Sequence, residues 1–305
     1  MDVAVELASA SLRIATPLLL AALGGIVSER AGTFAVAIEG MMLAGAFGAA
    51  IAAMTSGSTG LGLAAAIGAG MIVALMVAIA TVRFGTDQMV TGLAVNVLVA
   101  GLTSYLLRAM FGGRAPVIRL PILQPWPVPL LSDIPLVGPA LFNQPPLTYL
   151  ALLATAPLAL FLARTRPGLL LRATGENQDA VFATGSDPVR VRMLSILACG
   201  GFAGLGGAAL VLQQVGSFTD GMTHGRGFIA LAALIVGRWA PLPVAVACLV
   251  FGLISAVALR AQGWGLPVSS YVVQMMPYVL ALIALAGIGR AVRMPAAIGE
   301  AFRRG

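Results

Sequence analysis

Residues 59–82, TGLGLAAAIGAGMIVALMVAIATV, run without a single charged side chain. At about 1.5 Å per residue, a helix of that length crosses the roughly 30 Å hydrocarbon core of a bilayer. The run is continuously apolar and does not alternate, which is the pattern of a spanning helix and not of a barrel strand. Comparable runs fill most of the chain, near 8–27, 33–54, 59–82, 89–110, 146–163, 191–213, 227–240, 243–261 and 270–288. The expected fold is all-α: a polytopic transmembrane helical bundle of about 8–10 spans, forming one domain over residues 1–305. The run at 227–240 is too short to cross upright and meets Pro241 and Pro243, so a short or re-entrant helix is expected there.

Composition agrees. The chain is 59% hydrophobic and 10% charged, with a mean hydropathy of +0.99, far from a soluble domain of this size. The net charge is +7 and every one of the 18 basic residues is Arg. In a membrane protein such an excess reads as cytoplasmic-side charge and not as nucleic-acid affinity. Taking 163–192 as cytoplasmic places Arg164, Arg166, Arg172, Arg190 and Arg192 inside. Alternation then adds Arg30, Arg83, Arg238, Arg290, Arg293, Arg303 and Arg304, a total of 12 of the 18. The C-terminus is cytoplasmic on this reckoning, and nine spans put the N-terminus outside. Asp2 and Glu6, with no cluster of positive charge, do not make the n-region of a cleaved signal, so the first run is a retained helix. Residues 112–145 are rich in proline, with seven from Pro116 to Pro139, and form a long external loop that is not expected to be helical and caps the outer mouth. Cys199 and Cys248 lie in apolar runs and behave as small hydrophobes. Small-xxx-small pairs, Gly200 with Gly204 and Ala203 with Gly207 in the sixth run, Ala64 with Gly68 and Ala66 with Gly70 in the third, mark close helix contacts within one subunit or across a dimer.

Catalytic chemistry has little to work with. His224 is the only histidine, in the external stretch SFTDGMTHGRGF, and neither a metalloprotease motif nor a Gly-rich phosphate loop ending in Lys is present. No metal site and no cofactor are expected on this chain. Two features exceed what a plain bundle needs. One is SERAGTFAVAIEGMMLAGAFG, Ser28 to Gly48. Glu29 and Arg30 sit at the cytoplasmic edge and are expected to pair. Glu39 falls inside the second run, where burying an ionised carboxylate is costly, so it either is satisfied by neighbouring helix ends or lines a watery route, with Gly40 marking a break. Asn96 and Gln274 are the other deep polar candidates for such a route, Gln274 in a run that Pro277 kinks.

The second feature is residues 163–192, ARTRPGLLLRATGENQDAVFATGSDPVRVR. Its middle reads as a short helix that starts at Thr174 or Gly175, carries Glu176 and Asp179 in its first turn, and stops at Gly185. An amphipathic helix between two spans is what a soluble partner could grip, or it lies at the lipid boundary.

RATGENQDAVFATG (172–185), with VRVR leading into the next span, resembles the coupling loop of bacterial ABC importer permeases of the branched-chain amino acid, ribose and nucleoside group. ERAGTFAVAIEGMMLAGAFG (29–48), GTDQMVTGLAVN (85–96) and GRGFIALAALIVGRWAP (225–241) are similar to the smaller permease of its nucleoside and simple-sugar branch. The likeness covers nearly the whole chain. It implies a channel-forming subunit in a bacterial inner membrane, beside a second related permease, a cytoplasmic ATPase with two nucleotide-binding domains that carries the ATP and Mg, and an extracytoplasmic substrate-binding lipoprotein. Carried over residue by residue, it assigns coupling to Arg172, Gly175, Glu176, Asn177 and Asp179. The family often has Pro where this chain has Gln178. It also implies an inverted internal repeat, of which AGTFA (31–35) against GRGFI (225–229) reads as a trace. The substrate implied is a nucleoside, with a simple sugar as the alternative, moved by alternating access. An ion-coupled secondary transporter would want more intramembrane carboxylates than Glu39 and leaves 172–185 unexplained. An intramembrane enzyme would need a cofactor at His224 or Glu39.

Overall fold

A computed structural model describes residues 3–111, residues 120–263 apart from 130, 133, 135 and 136, and, of the remainder, residues 275, 276, 278–283, 286 and 294–300. The expected span at 270–288 and Gln274 within it lie largely or wholly outside the described residues.

Among the described residues, seven helices are long and apolar enough to cross a membrane. They are α1 (Val3–Arg30), α2 (Ile38–Ser56), α3 (Thr59–Ala78, continued by a π-helical turn Ile79–Arg83), α4 (Gln88–Phe111), α6 (Pro146–Arg164), α9 (Pro188–Ala209, continued by a π-helical turn Leu210–Val215) and α11 (Pro241–Gly263). Between them stand four shorter helices: α5 (Val137–Leu141), α7 (Arg166–Glu176), α8 (Gln178–Ala183) and α10 (Arg226–Val236). The chain is thus an all-α, multi-pass membrane protein.

Two expectations are corrected locally. The second run is not helical from residue 33; residues 31–37 form an irregular strap and α2 begins only at Ile38. Residues 112–145 are not devoid of helix. Val137–Leu141 makes a short one, and a two-residue antiparallel ladder pairs Trp126–Pro127 (β1) with Asn143–Gln144 (β2). Earlier in the same loop, the amides of Leu120 and Leu123 donate to Gly216 and Leu212 carbonyls at 2.9 and 2.7 Å, fastening the loop to the end of α9 where its π-turn leaves carbonyls free.

The helix at the centre is α9, which packs on α1, α2 and α3. Glycines let backbones meet there. A Cβ on Gly204 would lie 2.2 Å from the Ala66 carbonyl oxygen, one on Gly70 2.2 Å from that of Gly200, one on Gly45 2.4 Å from the Gly204 Cα, and one on Gly207 2.0 Å from the Met42 carbonyl. Ala66 and Gly70 are therefore inside contacts, whereas Ala64 is exposed and Gly68 has open space around it.

Polar side chains repair the places where helices break. Pro17, in the middle of α1, cannot donate to the carbonyl of Arg13 four residues earlier. Gln214, on the π-turn of α9, donates its side-chain amide to that oxygen at 2.6 Å. Beside it, Gln213 donates to Thr148, whose hydroxyl is 2.9 Å from that of Thr16 on α1.

Replacing Gly204 by Val forces the α3 backbone away and is expected to destabilise the purified protein by at least about 3 kcal/mol, the upper end of overpacking costs. Gly68→Val, facing open space, should leave the melting temperature in detergent within a degree or two of the parent, roughly the ±0.5 kcal/mol of a surface change. Equal melting temperatures for the two variants would refute this packing.

Candidate functional site

At one end of the bundle, α1 finishes at Arg30, and there the strap 31–37 meets the segment 163–192. The expected single helix in 163–192 is two. Thr165 caps α7 by accepting from the Gly168 amide at 3.1 Å. Asn177 is extended (φ −155°, ψ 105°) and caps α8 by accepting from the Ala180 amide at 2.9 Å. Thr174, Gly175 and Glu176 are thus the last turn of α7 and not the start of a helix. The break falls at Asn177 because its side chain offers the next backbone amide a better partner than the continuing helix does.

Of the five residues assigned to coupling, Glu176, Asn177 and Asp179 are exposed, Arg172 is half-buried and Gly175 is buried. Glu176 and Asn177 line an open groove of about 440 Å³ between α7 and α8, with Arg166, Leu169, Leu170 and Val181 among its other walls. Gly175 packs against the end of α1, where a Cβ would lie 2.2 Å from the Arg30 carbonyl oxygen. Gln178 points the other way, toward the Glu300 carbonyl at 3.5 Å.

Glu29 and Arg30 do not pair with each other, as the sequence suggested. Burial of Glu29 (1% exposed) turns its carboxylate inward, where it accepts from the Ala35 amide at 3.2 Å and from the indole N–H of Trp239. Arg30 donates to the Trp239 carbonyl at 3.1 Å. Trp239 reaches this place through a tight turn after α10 in which Arg238 and Trp239 both take positive φ, 55° and 54°.

Glu39 sits at the other end of α10. Its two carboxylate oxygens accept from the Gly225 and Gly227 amides at 2.7 and 2.6 Å, a bidentate cap on the helix N-terminus, where the peptide dipoles favour negative charge. Gly227 has to be glycine, because a Cβ there would lie 2.6 Å from the Glu39 nitrogen. Asn96 is buried on α4. Its side chain accepts from the Gly40 amide at 2.7 Å and donates to the Val36 carbonyl at 2.9 Å, pairing backbone groups that the late start of α2 leaves open. Gln88 accepts from the Phe34 amide at 2.6 Å in the same way.

The eleven residues of α10 rise about 16 Å, so Glu39 and Glu29 are held about that far apart, one at each end of this helix. The sequence segments 28–40 and 225–240 are thus antiparallel neighbours, with an acid of the first at each end of the helix in the second. His224, just before this helix, is exposed and accepts at its carbonyl from Tyr278. Among the described residues, no three His, Cys, Asp or Glu side chains gather as a metal ligand set.

One anchor could not be read from the sequence. Arg192, counted there only as cytoplasmic charge, is 1% exposed and donates to four carbonyls, those of Ala31, Gly32, Ala297 and Glu300. Nothing in VRVR distinguishes it from Arg190, whose side chain stands in solvent near Asp187.

Residues 7–285 match the family model described as branched-chain amino acid transport system / permease component. The chain is 35% identical to the guanosine ABC transporter permease protein NupQ of Bacillus subtilis, over 97% of this chain and 96% of that one. It is 36% identical to the putative glucose ABC transporter permease protein TsgC13 of Haloferax volcanii, over 87% and 80%. With the nucleoside ABC transporter permease protein NupC of Lactococcus lactis it shares 35%, over 89% and 88%. No solved structure matches it. A multi-pass bundle matched over almost its whole length in this way belongs to the permease component family of the branched-chain amino acid transport system, and is a transport subunit of the ABC type.

Proposed function

We propose that the chain is one of two permease subunits of an ATP-driven importer of nucleosides. What carries this is the 35% identity to a guanosine permease over nearly the full length of both chains. The glucose permease relative supports a simple sugar as the alternative substrate. Both substrates are neutral and rich in hydroxyls, which suits a pathway with polar groups and few charges.

In this scheme a cytoplasmic ATPase with two nucleotide-binding domains, carrying the ATP and Mg, docks on the groove of α7 and α8 through Glu176, Asn177 and Asp179. Gly175 holds that groove to the end of α1, and Arg172, half-buried on α7, is assigned to the same coupling role. Closure of the ATPase moves the pair of helices, and the bundle alternates between outward and inward access. Supporting this geometry, Ala297 donates its amide to the Gly175 carbonyl at 2.9 Å, so the segment 294–300 lies on the same side as the coupling helices; both are assigned to the cytoplasm. A second, related permease covers apolar faces left open here, chiefly on α4, where Val97 and Tyr105 are exposed. A substrate-binding lipoprotein delivers from the opposite side. Glu39 and Asn96 shape the path by fixing the broken ends of α10 and α2, and Gln274 is assigned to the same path.

Reconstitution with the second permease, the ATPase and the binding protein should give ATP-dependent uptake of labelled guanosine that other nucleosides inhibit and glucose does not. Glucose uptake in its place would move the assignment to simple sugars, and ion-driven uptake by this chain alone would overturn it. Asn177→Ala removes the cap of α8 and should cost about 1 kcal/mol locally, seen as weaker co-purification of the ATPase with the membrane subunits. Asn96→Leu leaves the Gly40 amide and Val36 carbonyl unpaired, and should destabilise by about 1–3 kcal/mol and lower the uptake rate; unchanged melting and unchanged uptake would remove Asn96 from this role.

A further inference from the structure

We infer that Arg192 is a positioning residue for energy transfer: it locks the coupling helices to the strap 31–37, and the strap, not α9 alone, carries their movement to α10. The inference rests on the ATP-driven assignment above.

The observations form a continuous physical connection. Arg192 stands at the start of α9, directly after the coupling helices, and its buried guanidinium spreads over two other segments. On the strap side, its Nε donates to Ala31 at 3.2 Å and its Nη2 to Gly32 at 2.9 Å. On the C-terminal side, it donates to Ala297 at 2.8 Å and to Glu300. Those two segments are also bonded to each other, Gly299 N–H to Gly32 carbonyl at 3.3 Å, and to α7 through Ala297 and Gly175. Gly32 has a φ of 85°, and a Cβ there would strike the guanidinium at 2.6 Å. The junction is therefore closed to any side chain at 32 and filled by one at 192.

From this junction the chain leads both ways to the ends of α10, back into the last turn of α1 and on through the strap into the first turn of α2. Glu29 and Arg30 hold Trp239 at its C-terminal end, and Glu39 holds Gly225 and Gly227 at its N-terminal end. A displacement of the strap thus reaches α10, the one apolar helix of 10–17 residues among those described, at both termini. A planar guanidinium with five donors can bind carbonyls in several directions at once; a lysine ammonium offers three donors from one point, and a glutamine amide two. A buried cation held only by carbonyl oxygens is costly in apolar surroundings, and an apolar side chain would pack there without that cost but could not tie the segments together.

The test uses the complete transporter in proteoliposomes, measuring guanosine moved per ATP hydrolysed in the presence of loaded binding protein. Arg192→Gln should lower this ratio about tenfold while binding protein still stimulates hydrolysis, with Arg192→Lys falling between. A merely structural role would cut uptake and hydrolysis in proportion, through loss of assembled complex, and leave the ratio unchanged; that outcome overturns the inference. If Arg192→Gln fails to assemble, Trp239→Phe removes the bond from Glu29, just before the strap, to the turn that ends α10 and should lower the same ratio, and an unchanged ratio there is equally fatal. Absence of ATP-dependent uptake in the unaltered transporter would instead strike the underlying assignment.

Discussion

A backbone amide or carbonyl left unpaired in hydrocarbon costs several kcal/mol by rough reckoning, and this constraint organises everything unusual in the bundle. Straight helices satisfy it on their own. The interruptions do not, and each is met by a particular side chain from another element. The strap before α2 is paired by Glu29, Gln88, Asn96 and Arg192. The start of α10 is paired by Glu39. The carbonyl freed by Pro17 is paired by Gln214. Several of the polar residues that a composition this apolar retains are spent on breaks, and the breaks are where a transporter can change shape.

Much of this was legible in the sequence, for physical reasons that differ by residue. Membrane insertion follows from length and hydropathy, and the short run at 227–240 announced a helix too short to cross upright, as the eleven residues of α10 are. Glu39 stood out because a carboxylate inside an apolar run demands a partner, and helix ends were one of its two readable partners. Which helix end was not legible, since Gly225 and Gly227 lie far along the chain. Glu29 misled: its neighbour Arg30 suggested a local pair, but the carboxylate's partners are a backbone amide in the strap and an indole beyond α10. Arg192 was invisible because burial of an arginine is decided by what surrounds it, and its surroundings come from both ends of the chain. The start of α8 was misplaced by three or four residues because Glu176 reads equally well as a first-turn acid and as the end of a preceding helix.

The small-residue pairs divide in the same instructive way. Gly200, Gly204, Ala66 and Gly70 are spaced like Ala64 and Gly68, yet only the first group meets another backbone. Spacing states that a face is smooth and leaves open what lies against it. The central place of α9 makes its smooth faces indispensable, since three helices must approach one rod at backbone distance.

The bond between Gln214 and the Arg13 carbonyl has an implication for how such a chain tolerates change. Restoring an ordinary residue at Pro17 would rebuild the local ladder and leave the glutamine amide without its oxygen, while losing Gln214 would strand that oxygen beneath the proline ring. Each alteration alone carries a penalty that the other relieves, so the two positions behave as a single heritable character, although they belong to different spans.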